Sequence, residues 1–165
     1  MGVYDIRSPE EWQKILDDVC QASGMPAALV DAKSVVLQSS GKRCPLCAKI
    51  RSINESLSFI CAQTQQFMVE TSRTSRRPVI DACEAGMLKF LIPLFLDGEF
   101  TGSVTVCGCS FPGEEIEVFG ISQVTKMKED EIISLVKQVP EIEQAKVDEI
   151  VDRLFQKLKS EGHGQ

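Results

Sequence analysis

Cys44-Pro45-Leu46-Cys47 puts two thiols three residues apart, a spacing at which both sulfurs can converge on one ion. Cys61 follows after thirteen intervening residues and Cys83 after twenty-one more. Four thiolates form a soft donor set, suited to tetrahedral zinc or to an iron–sulfur cluster. One C-x-x-C pair plus two single cysteines is a less specific signal than two pairs. The spacing alone is equally compatible with reduced, partly buried thiols. A thioredoxin-like redox role would need the motif between a strand and a helix of a βαβ unit, and the sequence shows no such pattern.

The remaining cysteines read differently. Cys107-Gly108-Cys109 closes a predicted strand, where alternate residues share a face, so Cys107 and Cys109 are expected on one side. Gly108 marks a bulge or a close backbone approach. The trio reads as a vicinal thiol pair or as small buried residues, the second being favoured. Cys20 falls on the apolar face of the first predicted helix and is expected in the core. His163, the single histidine, sits in a polar tail, so no Ser/His/Asp or Cys/His pair can form within the fold. Glu114 and Glu115, and Glu129, Asp130 and Glu131, stand at predicted helix starts, where negative charge complements the helix dipole. No glycine-rich phosphate loop occurs. The chain is expected to be non-catalytic.

The elements that must position the thiols follow from patterning. With 165 residues, 43% hydrophobic content and a net charge of −6, the chain suits one domain over 1–165. Its core is expected over about 9–140, with a C-terminal helix over 141–160. Seven cysteines, an odd number, and no basic stretch leading into an apolar run point to a reducing, cytoplasmic setting. The run Phe90 to Leu96 is interrupted by Pro93 and is too short to span a bilayer. Arg73 to Arg77 is the only dense basic cluster and reads as a solvated helix end, so no direct nucleic-acid contact is expected.

Ser8-Pro9-Glu10-Glu11 starts a helix in which Trp12, Ile15, Leu16, Val19 and Cys20 recur at helical spacing, with Gly24 placed to end it. Ala27–Val30 and Val35–Gln38 read as a hairpin. Asn54 caps a helix that runs out before Pro78, and the stretch from Pro78 to Gly86 reads as a short strand or loop. Leu88–Leu96 and Phe100–Cys107 form a hairpin around Asp97-Gly98. Glu129–Gln138 and Ile142–Lys159 are predicted helices. The second carries a stripe of Val147, Ile150, Val151, Leu154, Phe155 and Leu158, which is expected to pack on the domain. The alternative for that stripe is a homodimer seam or a signalling helix. An antiparallel sheet with segregated helices defines an α+β fold.

Cys44-x-x-Cys47, Cys61 on a helix, Cys83-Glu84-Ala85-Gly86-Met87, and the strand Leu91-Ile92-Pro93-Leu94 with Asp97-Gly98 and Thr101-Gly102 together resemble the PocR-type sensory domain. That domain is a PAS-like module of bacterial and archaeal signalling proteins. The resemblance runs from about Trp12 to Pro140 and includes Val139-Pro140 after a short helix. It implies a PAS-like fold and a sensory role toward simple hydrocarbon derivatives such as small diols. It also implies a DNA-binding, kinase or cyclase output partner, whose absence here makes the chain a stand-alone sensor or an excised domain. On a PAS-like sheet the alternating Phe90, Ile92, Leu94, Val104 and Val106 could line a ligand pocket or form plain core. The family often carries Gly-Gln where this chain has Gly108-Cys109, which adds Cys109 to the candidate pocket residues. A metal-based redox or oxygen sensor using the same four cysteines is the alternative function, and a structural dimerisation module is a third.

Overall fold

The computed structural model describes residues 2–161, so His163 lies outside the described residues. Helix α1 (Pro9–Ser23) begins where Ser8 Oγ accepts the Glu11 N–H at 3.2 Å, with Pro9 in the first turn. It ends at Gly24, whose φ of 72° is the left-handed closure that glycine permits at little cost. Trp12, Ile15, Leu16 and Val19 are buried along one side, and Trp12 Nε1 donates to the Val3 carbonyl at 2.9 Å.

Strands β1 (Ala27–Asp31), β2 (Val36–Ser40), β3 (Val79–Ala82), β4 (Leu88–Leu96) and β5 (Glu99–Cys109) form one sheet in the order β2-β1-β5-β4-β3. Every neighbouring pair is antiparallel. The β4–β5 turn has positive φ at both Asp97 and Gly98, the mirror-image turn that matches strand twist. Pro93 is tolerated in β4 because β3 pairs only with Leu88 to Leu91, leaving that edge of β4 open beyond Leu91.

Between β2 and β3 the chain forms α2 (Pro45–Arg51), α3 (Asn54–Ser56), a π-helical segment (Leu57–Ala62) and α4 (Gln63–Ser75). After β5 come α5 (Val118–Thr125), α6 (Glu129–Val136) and α7 (Gln144–Glu161). This is the expected α+β, PAS-like arrangement. The Arg73–Arg77 end of α4 is tied down: Arg73 lies over the Phe100 ring, and Arg76 lies over Phe95 and donates to the Gly98 carbonyl. Helix α7 starts at Gln144 rather than Ile142, because Ile142 N–H is engaged by the Ser110 carbonyl at 3.0 Å.

The two faces of the sheet differ. One carries Leu88, Phe90, Ile92, Leu94, Val104, Val106 and Cys109 into the main core with Trp12 and Leu16 of α1 and Val147, Val151, Leu154 and Leu158 of α7. The stripe of α7 is therefore buried in the protein's own core. The other face carries Lys89 and Leu91, and Met68 and Val69 of α4 pack against Leu91. A separate apolar cluster of Leu46, Ile50, Ile60, Ala85, Met87, Ile121, Ile132 and Val139 joins α2, the π-helical segment, the β3–β4 connection, α5 and α6.

Candidate metal centre and the polar sheet face beside it

All four cysteines singled out by spacing pack against that separate cluster. Cys44 caps α2, with Pro45 in its first turn, and Cys44 Sγ accepts the Cys47 N–H at 3.5 Å. Cys47 lies half-buried within α2, its Sγ 3.5 Å from the Met87 sulfur. Cys61 belongs to the π-helical segment, a helix form that recurs at functional sites. Cys83 opens the tight turn into β4, in which Cys83 N–H reaches the Met87 carbonyl and Gly86 N–H the Cys83 carbonyl, both at 2.8 Å. Gly86 makes that turn feasible: its φ is 86°, and a Cβ there would meet the Glu115 carbonyl at 2.7 Å.

Sulfur electrostatics follow from these positions. The Cys47 thiol and the N–H groups of Cys47 and Leu46 donate to the Cys44 sulfur and pull its pKa down to about 6. The same contact with the Cys44 sulfur, together with burial, pushes the Cys47 thiol up. Burial raises Cys61 and Cys83, the latter partly offset by the N–H groups of Met87 and Ala85 aimed at its sulfur. In metal-free protein Cys44 is therefore expected to be the first thiol alkylated by iodoacetamide. A depressed pKa means the thiolate persists as pH falls, so the rate should drop only on passing downward through about 6. Cys47→Ala, which removes the largest cause, should move that midpoint up, as mass-resolved alkylation across pH would show.

A fifth thiol reaches this neighbourhood. Lys89 lies directly opposite Cys107, whereas Leu88 lies opposite Cys109, so Gly108 is the extra residue of a bulge. The expectation that Cys107 and Cys109 share a face is corrected by that bulge, which reverses strand phase. Cys109 faces the core, where burial lifts its pKa to about 11. Cys107 faces the thiols and interacts electrostatically with Cys47, Cys61 and Cys83. The signal that could have found it was Gly108 itself, with φ 128°. All seven cysteines are free thiols. Among the described residues no group of three or more His, Cys, Asp or Glu side chains is placed so that it could hold a metal ion. The four thiols pack on one apolar cluster.

Phe90, Ile92, Leu94, Val104, Val106 and Cys109 do share one face, but they are close-packed core beneath α1 and α7. Polar character lies on the opposite face. Thr101, Ser103 and Thr105 are buried there on β5, Ser103 Oγ is 3.2 Å from Thr105 Oγ1, and Gln65 Nε2 of α4 donates to Thr105 Oγ1 at 3.4 Å. Alternation alone marks which residues go together, not which face a ligand can reach.

A five-stranded antiparallel sheet in this order, with helices between its second and third strands, is consistent with a PAS-like α+β fold. The family described as the sensory domain found in PocR matches residues 5–160, and the chain belongs to that family. A curated relative, the regulatory protein PocR of Salmonella typhimurium strain LT2, is 26% identical over 136 residues, 81% of this chain and 44% of the relative. The chain thus spans less than half the length of that relative. No solved structure matches. A sensory role in regulation follows from the family. No helix among the described residues is long and apolar enough to cross a membrane.

Proposed function

We propose that this is a non-catalytic sensory domain in which Cys44, Cys47, Cys61 and Cys83 hold a thiophilic metal centre beside a polar sheet face that receives a small organic molecule. One observation carries the reading: four cysteines from three separate segments pack on one apolar cluster, and backbone N–H groups point at two of their sulfurs. Amide donors favour the thiolate over the thiol, the form a metal requires. The ligand face is that of Ser103, Thr105 and Gln65, whose hydroxyl and amide groups suit a small hydroxylated compound. The relative is a regulatory protein, so the signal is handed to a separate output module.

Elemental analysis with a visible spectrum, on protein purified without oxygen, tests the metal centre. Zinc near one per chain makes the centre structural and leaves sensing to the polar face. Iron with broad visible absorption makes the centre itself a redox or oxygen sensor. Neither metal in the purified and reconstituted protein rejects the centre. A thermal-shift panel of small diols and alcohols tests the ligand, and no shift across the panel rejects that part.

A further inference from the structure

Lys89 stands on the polar face of the sheet, in a place that lysine rarely occupies. It is only 6% exposed, near the start of β4, with Asp81 of β3 directly opposite on one side and Cys107 of β5 on the other. Opposed residues of neighbouring strands share a face, and Leu91, two positions on, is opposed to Thr105. Lys89 therefore projects to the side that carries Ser103 and Thr105. Among the described residues its ammonium takes part in no hydrogen bond and no ion pair. Asp81 is exposed, and its Oδ1 accepts the Ala82 N–H at 2.8 Å. The Lys89 ammonium is also not among the described polar atoms that are sealed from solvent without a partner. Its stem is buried while its tip still meets water.

A cation held this deeply normally has an anion beside it. The polar groups across the strand pair are neutral. Thr105 lies diagonally from Lys89, about 7–8 Å away at Cβ, a span that a lysine side chain covers. Thr105 Oγ1 is 3.2 Å from Ser103 Oγ and accepts from Gln65 Nε2 at 3.4 Å, which leaves the Thr105 hydroxyl hydrogen to donate. One ammonium next to hydroxyl and amide groups matches a molecule whose negative end adjoins a hydroxyl. A neutral diol would satisfy the hydroxyls and leave the ammonium without an anion. We infer that this face selects a small hydroxy carboxylate over the diol of the same carbon skeleton, the carboxylate meeting Lys89 and the hydroxyl meeting Thr105 and Gln65. This rests on the reading of the polar face as the ligand site and adds to it the charge of the ligand and the residue that reads that charge. It does not depend on a metal.

The test pairs 2-hydroxy acids of two to four carbons with the 1,2-diols of the same skeletons. Binding to wild type, Lys89→Met and Lys89→Gln is measured by titration calorimetry at fixed pH and ionic strength, with the thiols kept reduced. Wild type should bind the best acid about 10–100-fold more tightly than its diol, the range a charge-assisted hydrogen bond supplies. Lys89→Met keeps most of the stem and should abolish that preference while leaving the diol affinity unchanged, which shows that the site itself is intact. If Lys89→Met does not fold, Lys89→Gln takes its place. Wild type that binds acid and diol equally, or prefers the diol, overturns the inference and leaves the ligand reading standing. A preference for the acid that survives in the Lys89 variants also overturns it, since the lysine then only extends its tip to solvent. Wild type that binds neither acids nor diols overturns the ligand reading and the inference together.

Discussion

If the proposed metal centre forms, Cys83→Ser is expected to empty it, while Cys20→Ser and Cys109→Ser leave it full. Serine keeps nearly the same volume but is a poor ligand for a soft ion. Loss of one of four donors should weaken binding by well over the ~100-fold that a mere supporting residue can cost. Because binding energy is also folding energy at such a site, the thermal midpoint of the metal-loaded variant should fall to that of metal-free protein. The two controls are informative for different reasons. Cys20 lies on α1, beside Gly41 and away from the thiol cluster. Cys109 is two residues from Cys107 in sequence but faces the core across the bulge, its sulfur 4.0 Å from the Ser23 carbonyl. Metal content and thermal melts of the three variants decide the matter; a metal-depleted Cys109→Ser would contradict the phase reversal at Gly108.

The second large effect separates the two faces of the sheet. Phe90→Ala should cost about 3–5 kcal/mol of stability, because the ring is fully buried between α1, α7 and β5 and its removal leaves a cavity. Ligand affinity per folded molecule should be unchanged. Thr105→Val should behave in the opposite way. It removes one side-chain hydrogen-bonding group, at a cost of about 1 kcal/mol, yet it deletes the hydroxyl that links Ser103 and Gln65. Urea denaturation gives the first number, and thermal shift with the best diol of the panel gives the second. A Phe90→Ala protein that folds normally and fails to bind would return the ligand to the apolar face.

What could be read from the sequence follows from how local each determinant is. Helix α1 was legible because Ser8, Pro9 and Gly24 mark its ends and the burial period is regular. The β4–β5 hairpin was legible because Asp97-Gly98 specifies its turn. Cys44, Cys47, Cys61 and Cys83, grouped by spacing, pack on one apolar cluster. Helix α5 was legible only as a start near Glu114 and Glu115: it has no side-chain cap, contains Gly120, and mixes buried Ile121 with exposed Phe119, so no clean stripe marks its extent. Cys107 was assigned to the wrong face because one inserted residue reverses a period-two pattern: Gly108 hinted at a bulge, and the pairing with Lys89 fixes its phase. Lys89 drew no attention, since a lysine among apolar residues reads as a surface position until the neighbouring strand is in place. Phe90, Ile92, Leu94, Val104 and Val106 share one face, yet which face is covered by α1 and α7 depends on contacts distant in sequence.

The end of β5 is joined to the start of α7 by main chain alone. Ser110 N–H bonds to the Pro140 carbonyl and the Ser110 carbonyl to Ile142 N–H, both at 3.0 Å, and Ser110 pairs with Glu141 as a parallel bridge. Only two residues separate this weld from Cys107 in one direction and from Gln144 in the other. The thiol end of β5 is thus tied to the approach to the last helix by peptide groups, which every amino acid supplies. Such a linkage tolerates sequence drift at its own positions, so relatives could change what they detect, and swap the module they drive, without rebuilding the mechanical connection between the two.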